Sequence, residues 1–206
     1  MDAPHSARPD LYDLSLAQLT ELLAGWGEPA FRARQLYRQL YVHLAADFAS
    51  MTDLSKVLRE RLVAETRIGS LERTKLLQGD DGMTRKALFK LPDGSPVESV
   101  LMVYPDRATV CVSSQSGCPM ACVFCATGKL GHLHDLTTGQ IIEQVLWAAR
   151  ELRAIRSSET GNQKLSNVVF MGMGEPFNNY DPWWASVERL HDPLGFNLGA
   201  RSFPVS

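Results

Sequence analysis

The chain has 206 residues, of which 45% are hydrophobic and 21% charged. Those proportions exclude a disordered or collagen-like chain and suit one large domain or two small ones. With 21 Lys and Arg against 23 Asp and Glu the net charge is −2, which excludes binding nucleic acid by bulk charge while leaving a local basic face open. No apolar run approaches the roughly 20 residues of a membrane span, and the opening MDAPHSARPDLYDL lacks the apolar stretch of a secretory signal. A cytoplasmic protein with no membrane attachment is expected, its four cysteines being thiols or metal ligands rather than a disulfide framework.

Residues 1–10 are polar and contain proline, and they read as a frayed start. From Asp10 to about Ala64 the pattern is helical. Ser15 is a candidate N-cap ahead of Leu16, Leu19, Leu22 and Leu23, Gly25 and Gly27 end that helix, and Pro29 opens the next. The second helix carries Phe31, Leu36 and Leu40 among Arg32, Arg34 and Arg38, with Tyr37 and Tyr41 one turn apart. A third is expected from Thr52 or Asp53, with Leu54, Val57, Leu58 and Leu62 facing inward. Residues 1–66 thus read as a small all-helical domain.

The character changes after Arg67. Short β-prone runs at 76–77, 87–91 and 97–104 are separated by GDDG and PDGS, which are turn chemistry, and 107–112 is a further strand candidate. Segment 138–155 is an amphipathic helix with Ile141, Ile142, Val145, Leu146, Ala149 and Leu152 on one stripe. A polar loop at 157–164 leads to a buried-type strand at 167–171, which runs into the Gly-rich turn GMGEP. Strand, loop, helix and strand in this order make a βαβ unit, so the fold class is α/β with a parallel sheet. Residues 67–105 read as a β-rich connector and 106–206 as the sheet domain. Trp183 and Trp184 begin a helix that covers the sheet. Only about three strands of a parallel sheet fit between residue 107 and residue 206, few for a sheet covered on both faces. The expectation is a portion of a larger domain, poorly soluble because of its open strand edge and uncovered apolar surface.

The strongest chemical signal is Cys118-Pro-Met-Ala-Cys122-Val-Phe-Cys125 on the loop after a strand. Thiolates are soft ligands for zinc or iron–sulfur clusters. Three cysteines spaced this way would hold three irons of a [4Fe–4S] cluster and leave the fourth iron open. The competing reading is a zinc site completed by Cys111, His132 or His134, although no paired-ligand spacing supports it. The GMGEP turn (Gly172 to Pro176) offers a carboxylate and backbone carbonyls at a strand end, acceptors suited to an ammonium group.

The CxxxCxxC run with Phe124 before its last cysteine, followed by GMGEP after a strand, resembles the radical S-adenosylmethionine superfamily. CVSSQSGCPMACVFCATG, FMGMGEPFNN and GARSFPVS together resemble the rRNA adenine carbon-2 methyltransferase family, RlmN. GEPAFRARQLYRQLY and MTDLSKVLRERL are similar to that family's accessory RNA-binding domain. The resemblance runs from about Leu11 to Ser206 and implies a partial (β/α) barrel. It implies that Cys118, Cys122 and Cys125 bind a [4Fe–4S] cluster, and that Gly174, Glu175 and Ser206 contact S-adenosyl-L-methionine. Through the cluster the cofactor is cleaved to a 5′-deoxyadenosyl radical. The electron-poor carbon 2 of adenine is no nucleophile, and the family methylates it through a methyl-cysteine near the C-terminus. A second cysteine, matched here by Cys111, resolves the protein–RNA adduct, and Glu98 matches the proton acceptor. No cysteine follows residue 125, so this chain alone is not expected to complete a turnover. Pro204 replaces the family's usual Thr and puts local strand pairing in question.

The implied partners are 23S rRNA, tRNA as a further substrate, and an electron donor such as flavodoxin, with the protein a monomer. Independently, residues 30–46 hold no acid, while Arg32, Arg34, Arg38 and His43 alternate with Tyr37 and Tyr41. Such residues contact phosphates and stack on bases, though a solvated amphipathic face reads the same. The alternatives are a Cfr-type carbon-8 rRNA methyltransferase, another radical enzyme such as a glycyl-radical activator, and a non-catalytic metal-stabilised RNA-binding module.

Overall fold

A computed structural model describes residues 8–156 and 164–205. Three helices come first: α1 (Leu16–Gly25), α2 (Phe31–Tyr41) and α3 (Lys56–Glu65). Ser15 caps α1 in a complete capping box, its Oγ accepting from the Gln18 N–H while its own N–H donates to Gln18 Oε1 at 2.8 Å. The third helix begins later than expected. Ser55 rather than Thr52 or Asp53 caps it, because the preceding turn already buries Met51 and Leu54. Leu58 and Leu62 form its inward stripe, and Val57, one residue off that stripe, is 74% exposed. Asp10 is not frayed. It is buried, accepts from the N–H groups of Tyr12 and Gly69, and pairs with Arg67 at 3.3 Å.

A meander follows: β1 (Glu72–Gln78), β2 (Thr84–Lys90), β3 (Pro96–Val103) and β4 (Ala108–Cys111). Then come β5 (Gln115–Gly117), α4 (Ala126–Lys129), β6 (His132–Asp135), α5 (Thr138–Arg156), β7 (Asn167–Val169) and α6 (Tyr180–His191). The main sheet runs β1-β2-β3-β4-β7, so it is continuous across residues 105 and 106. Its first four strands are antiparallel, and β7 joins β4 in parallel with Cys111 opposite Val169. This is the expected βαβ unit with α5 as its crossover. The hairpin of β5 and β6 was not legible, because its strands are short and polar.

Alternation divides the sheet into two faces. Val97, Ser99, Leu101, Ala108, Val110 and Val168 are buried beneath α5, which contributes Ile141, Ile142, Val145 and Leu146. Leu88, Glu98, Val100, Met102, Cys111 and Val169 alternate onto the opposite, half-buried face. On α6, Trp183 packs edge-on against Phe170 at 5.8 Å. Phe170 bridges in parallel to Val205, and its N–H donates to the Pro204 carbonyl at 3.1 Å. The pairing questioned at Pro204 therefore forms, because the sheet uses that residue's carbonyl and not the N–H it lacks.

The helical unit is locked to the sheet by α5 and α6. Arg150 donates to the Leu44 and Ala45 carbonyls and to Tyr12 Oη at 2.6 Å, and Arg153 donates to the Val42 and His43 carbonyls. Arg189 donates to the Tyr12 and Leu14 carbonyls. Among the described residues, no helix is long and apolar enough to cross a membrane. The predicted polar loop lies outside the described residues over 157–163, as does Ser206.

Candidate functional site

The site gathers at the C-terminal ends of the parallel pair β4 and β7, where ligand crevices of α/β sheets open. From β4 the chain passes through Ser113, Ser114 and Gln115, all buried, into β5 and the cysteine loop. From β7 it passes into the GMGEP turn. The two exits are laced together. Ser114 and Gln115 N–H both donate to the Met173 carbonyl at 2.9 and 3.2 Å, Met173 N–H donates to Ser113 Oγ, and Glu175 N–H donates to Gln115 Oε1 at 2.9 Å. Gln115 Nε2 reaches on to Asp135 Oδ1 at 2.7 Å, on the strand that returns from the cysteine loop. Ser113 is fixed from below by Gln144 of α5, which accepts from its N–H and donates to its carbonyl.

Gly174 has a φ of +100°, and a Cβ there would lie 2.6 Å from Gln115 N and 2.8 Å from Ser114 Oγ. Only glycine fits this close approach. Ser114 Oγ, buried beside it, has no hydrogen-bond partner. Glu175 turns back to cap the 3-10 helix Pro176–Asn179, its Oε1 accepting from Phe177 N–H at 3.1 Å. Asn179 closes the floor by donating to the Ser114 and Leu136 carbonyls, both at 2.8 Å.

In the cysteine loop Cys118 is buried, Cys122 and Cys125 are half-buried, and all three are free thiols. Cys125 stands at the start of α4, where the backbone N–H groups of Gly128 and then Thr127 hold its thiol below the ordinary range. Gly128 packs against the Cys122 backbone, since a Cβ there would meet Cys122 N at 2.9 Å. The apolar side chains between the cysteines point outward, Phe124 being 90% exposed. Among the described residues, no three His, Cys, Asp or Glu side chains form a group that could hold a metal ion as the loop is folded here. The donor chemistry nonetheless fits a soft metal centre: three free thiols on one loop, with the backbone favouring thiolate at one of them. His132 and His134 are engaged elsewhere, with Asp135 at 2.8 Å and Asp93 at 3.2 Å.

Cys111 and Glu98 share the sheet face opposite α5. Cys111 is the last residue of β4, opposite Val100, and Glu98 lies two residues along β3 on the same side. Burial pushes the Cys111 thiol up, against a smaller opposing bond from the Met171 backbone. The sequence reading missed Ser113, Gln115, Gln144 and Asn179, which tie the site together. A run of small polar residues between a strand and the first cysteine was the available signal, since buried polar groups require partners.

On α2, Arg34 and Arg38 are exposed, as is His43 just after it, whereas Tyr37 and Tyr41 are buried, their rings 4.5 Å apart, with Tyr37 Oη bonded to Asp192 at 3.0 Å. The two tyrosines are core and cannot stack on bases. Arg32 is occupied by Glu28, Gln35 and the Phe31 ring.

The profile of the Ribosomal RNA large subunit methyltransferase N-terminal domain matches residues 9–68. A relative from Chloroflexus aurantiacus, described as a probable dual-specificity RNA methyltransferase RlmN, is 64% identical over 197 residues, covering 95% of this chain and 52% of its own. A relative of the same description from Mycolicibacterium vanbaalenii is 48% identical over 210 residues, covering 100% of this chain and 56% of its own. The crystal structure of a radical SAM methyltransferase from Sphaerobacter thermophilus superposes with a TM-score of 0.90 at 46% identity, over 96% of this chain and 56% of that one. The chain spans about half the length of the curated relatives it matches. This similarity to RlmN proteins runs through both the helical unit, whose residues 9–68 carry the family's N-terminal domain, and the sheet.

Proposed function

We propose that this chain contributes the cluster-binding and cofactor-binding part of a radical S-adenosylmethionine methyltransferase that modifies carbon 2 of an adenine in 23S rRNA, with tRNA as a further substrate. The observation that carries the reading is the bond from Glu175 N–H to Gln115 Oε1, which ties the GMGEP turn to the base of the cysteine loop. In this reading Cys118, Cys122 and Cys125 hold a [4Fe–4S] cluster, and Gly174, Glu175 and Ser206 contact S-adenosyl-L-methionine. Bound there, the cluster would supply single electrons and one open iron for the cofactor's amino-acid end. The remaining lone pairs of Glu175 and the backbone carbonyls of its turn accept from the cofactor's ammonium group.

On the neighbouring face Glu98 takes the proton lost from the target carbon, and the Cys111 thiol, kept protonated by burial, is the group that resolves the adduct. Val100, Met102 and Val169 line that half-buried face beside them. Residues 1–66 serve as the RNA-binding accessory domain through Arg34, Arg38 and His43, residues 67–105 connect, and residues 106–206 belong to the radical barrel. An external donor such as flavodoxin supplies electrons, and the working protein is a cytoplasmic monomer.

The test is anaerobic reconstitution of the chain with iron and sulfide, followed by EPR of the reduced protein with and without S-adenosylmethionine. The expected result is a [4Fe–4S] signal that shifts when the cofactor is added. Retention of zinc with no cluster would overturn the reading in favour of a metal-stabilised RNA-binding module. In the full-length protein, nucleoside mass spectrometry and NMR of modified RNA distinguish a methyl on carbon 2 from one on carbon 8.

A further inference from the structure

We propose that Lys86 is a positioning residue for the Glu98 carboxylate, holding it on the sheet face that carries Cys111. This inference rests on the reading of Glu98 as the proton acceptor. Lys86 Nζ stands 2.7 Å from Glu98 Oε2. The β2–β3 register sets Lys86 opposite Val100 and Leu88 opposite Glu98, so the ion pair is a diagonal one, within reach of two long side chains. The β3–β4 register then sets the same Val100 opposite Cys111. Lys86, Glu98, Val100 and Cys111 therefore share one face across three adjacent strands.

The main chain at Glu98 is held separately from its side chain. Its carbonyl accepts from Ser113 Oγ at 2.7 Å, and Ser113 is itself fixed by Gln144. The carboxylate, in contrast, ends a chain of three rotatable bonds. Among the described residues, Lys86 is the cation paired with it. A proton acceptor has to be aimed before it can act, and an ammonium group, which only donates, fixes one carboxylate oxygen and leaves the other free to accept. An ordinary cross-strand pair would explain the contact by stability alone. With both side chains about 40% exposed, such a pair adds little to the stability of the fold.

The experiment uses the full-length protein, reconstituted anaerobically, and an RNA carrying deuterium on carbon 2 of the target adenine. Lys86→Met is expected to slow product formation about tenfold, as loss of aim at one reacting group does, and to raise the hydrogen–deuterium isotope effect. The KM for RNA should stay within about twofold, the melting temperature within a few degrees, and Lys86→Arg should restore most of the rate. Glu98→Gln must also raise the isotope effect. If Glu98→Gln raises it and Lys86→Met does not, the positioning role is overturned and the Glu98 reading survives. If neither variant moves it, the Glu98 assignment falls and this proposal falls with it. A second readout needs no turnover. In the same protein labelled with 15N-lysine, the Lys86 ammonium signal should move when Glu98 becomes Gln, and an unmoved signal would show that the pair does not form in solution and would overturn the proposal.

Discussion

The seam between the helical unit and the sheet, and the cysteine loop above that sheet, are built in opposite ways. At the seam, charged side chains are half-buried and heavily partnered: Glu143 accepts from Ser70 and Leu71 N–H at 2.8 and 3.1 Å, and Arg150 satisfies two carbonyls and a hydroxyl. In the loop, apolar side chains stand in solvent and the Cys122 and Cys125 thiols are partly accessible. The loop is thus anchored by its polar base, through Ser113, Gln115 and Gln144, more than by its apolar side chains. A rigid floor under a loosely packed, cysteine-bearing loop lets the three thiols adjust without disturbing the sheet.

The comparison breaks most sharply at Gln144. Its side chain accepts from Ser113 N–H and Ser99 Oγ and donates to the Ser113 carbonyl, all in the core. Gln144→Ala strands those groups and is expected to destabilise the chain by about 4 kcal/mol in urea unfolding. A loss under about 1 kcal/mol would show that the floor is not the anchor.

The seam carries a pH dependence. Burial pushes the Glu143 carboxyl up to about 8 from an ordinary value near 4.5, opposed by the Ser70 N–H and reinforced by nearby Asp10. The folded state therefore holds the Glu143 proton more tightly than the unfolded state does. Its stabilisation is complete below about pH 4.5 and is lost progressively as pH rises to about 8. The expected fall is on the order of 3 kcal/mol between those limits. Unfolding midpoints measured across this range should decline in the parent chain, and Glu143→Gln should flatten the curve.

The smallest effect is expected in the loop. Phe124, 90% exposed, should tolerate replacement by Ala with a stability change below about 0.5 kcal/mol. Phe170→Ala, in the core against Trp183, should cost about 3 kcal/mol. Equal losses in the two melts would mean that the loop is packed as tightly as the floor.

Much of this molecule is local chemistry and was legible as such. Ser15 and Gln18 form a capping box wherever a helix follows them, and the stripe from Ile141 to Leu152 buries one face of α5 as its period demands. The βαβ order, the thiol spacing and the GMGEP turn are equally properties of neighbouring residues. The failures share one cause, which is contact between distant segments. Tyr37 reads as an exposed base-stacking ring until Asp192 takes its hydroxyl, and Asp10 reads as a frayed end until Gly69 and Arg67 surround it.

Sequence alone determined that a closely spaced cysteine run follows one strand and the GMGEP turn another, with an amphipathic helix between them, because spacing along the chain sets those. Only the tertiary structure decided that Lys86 meets Glu98, that Gln115 joins Glu175 to the cysteine loop, and that Pro204 pairs through its carbonyl. Each of those contacts depends on strand register, and register is a property of two segments that no single stretch of sequence contains.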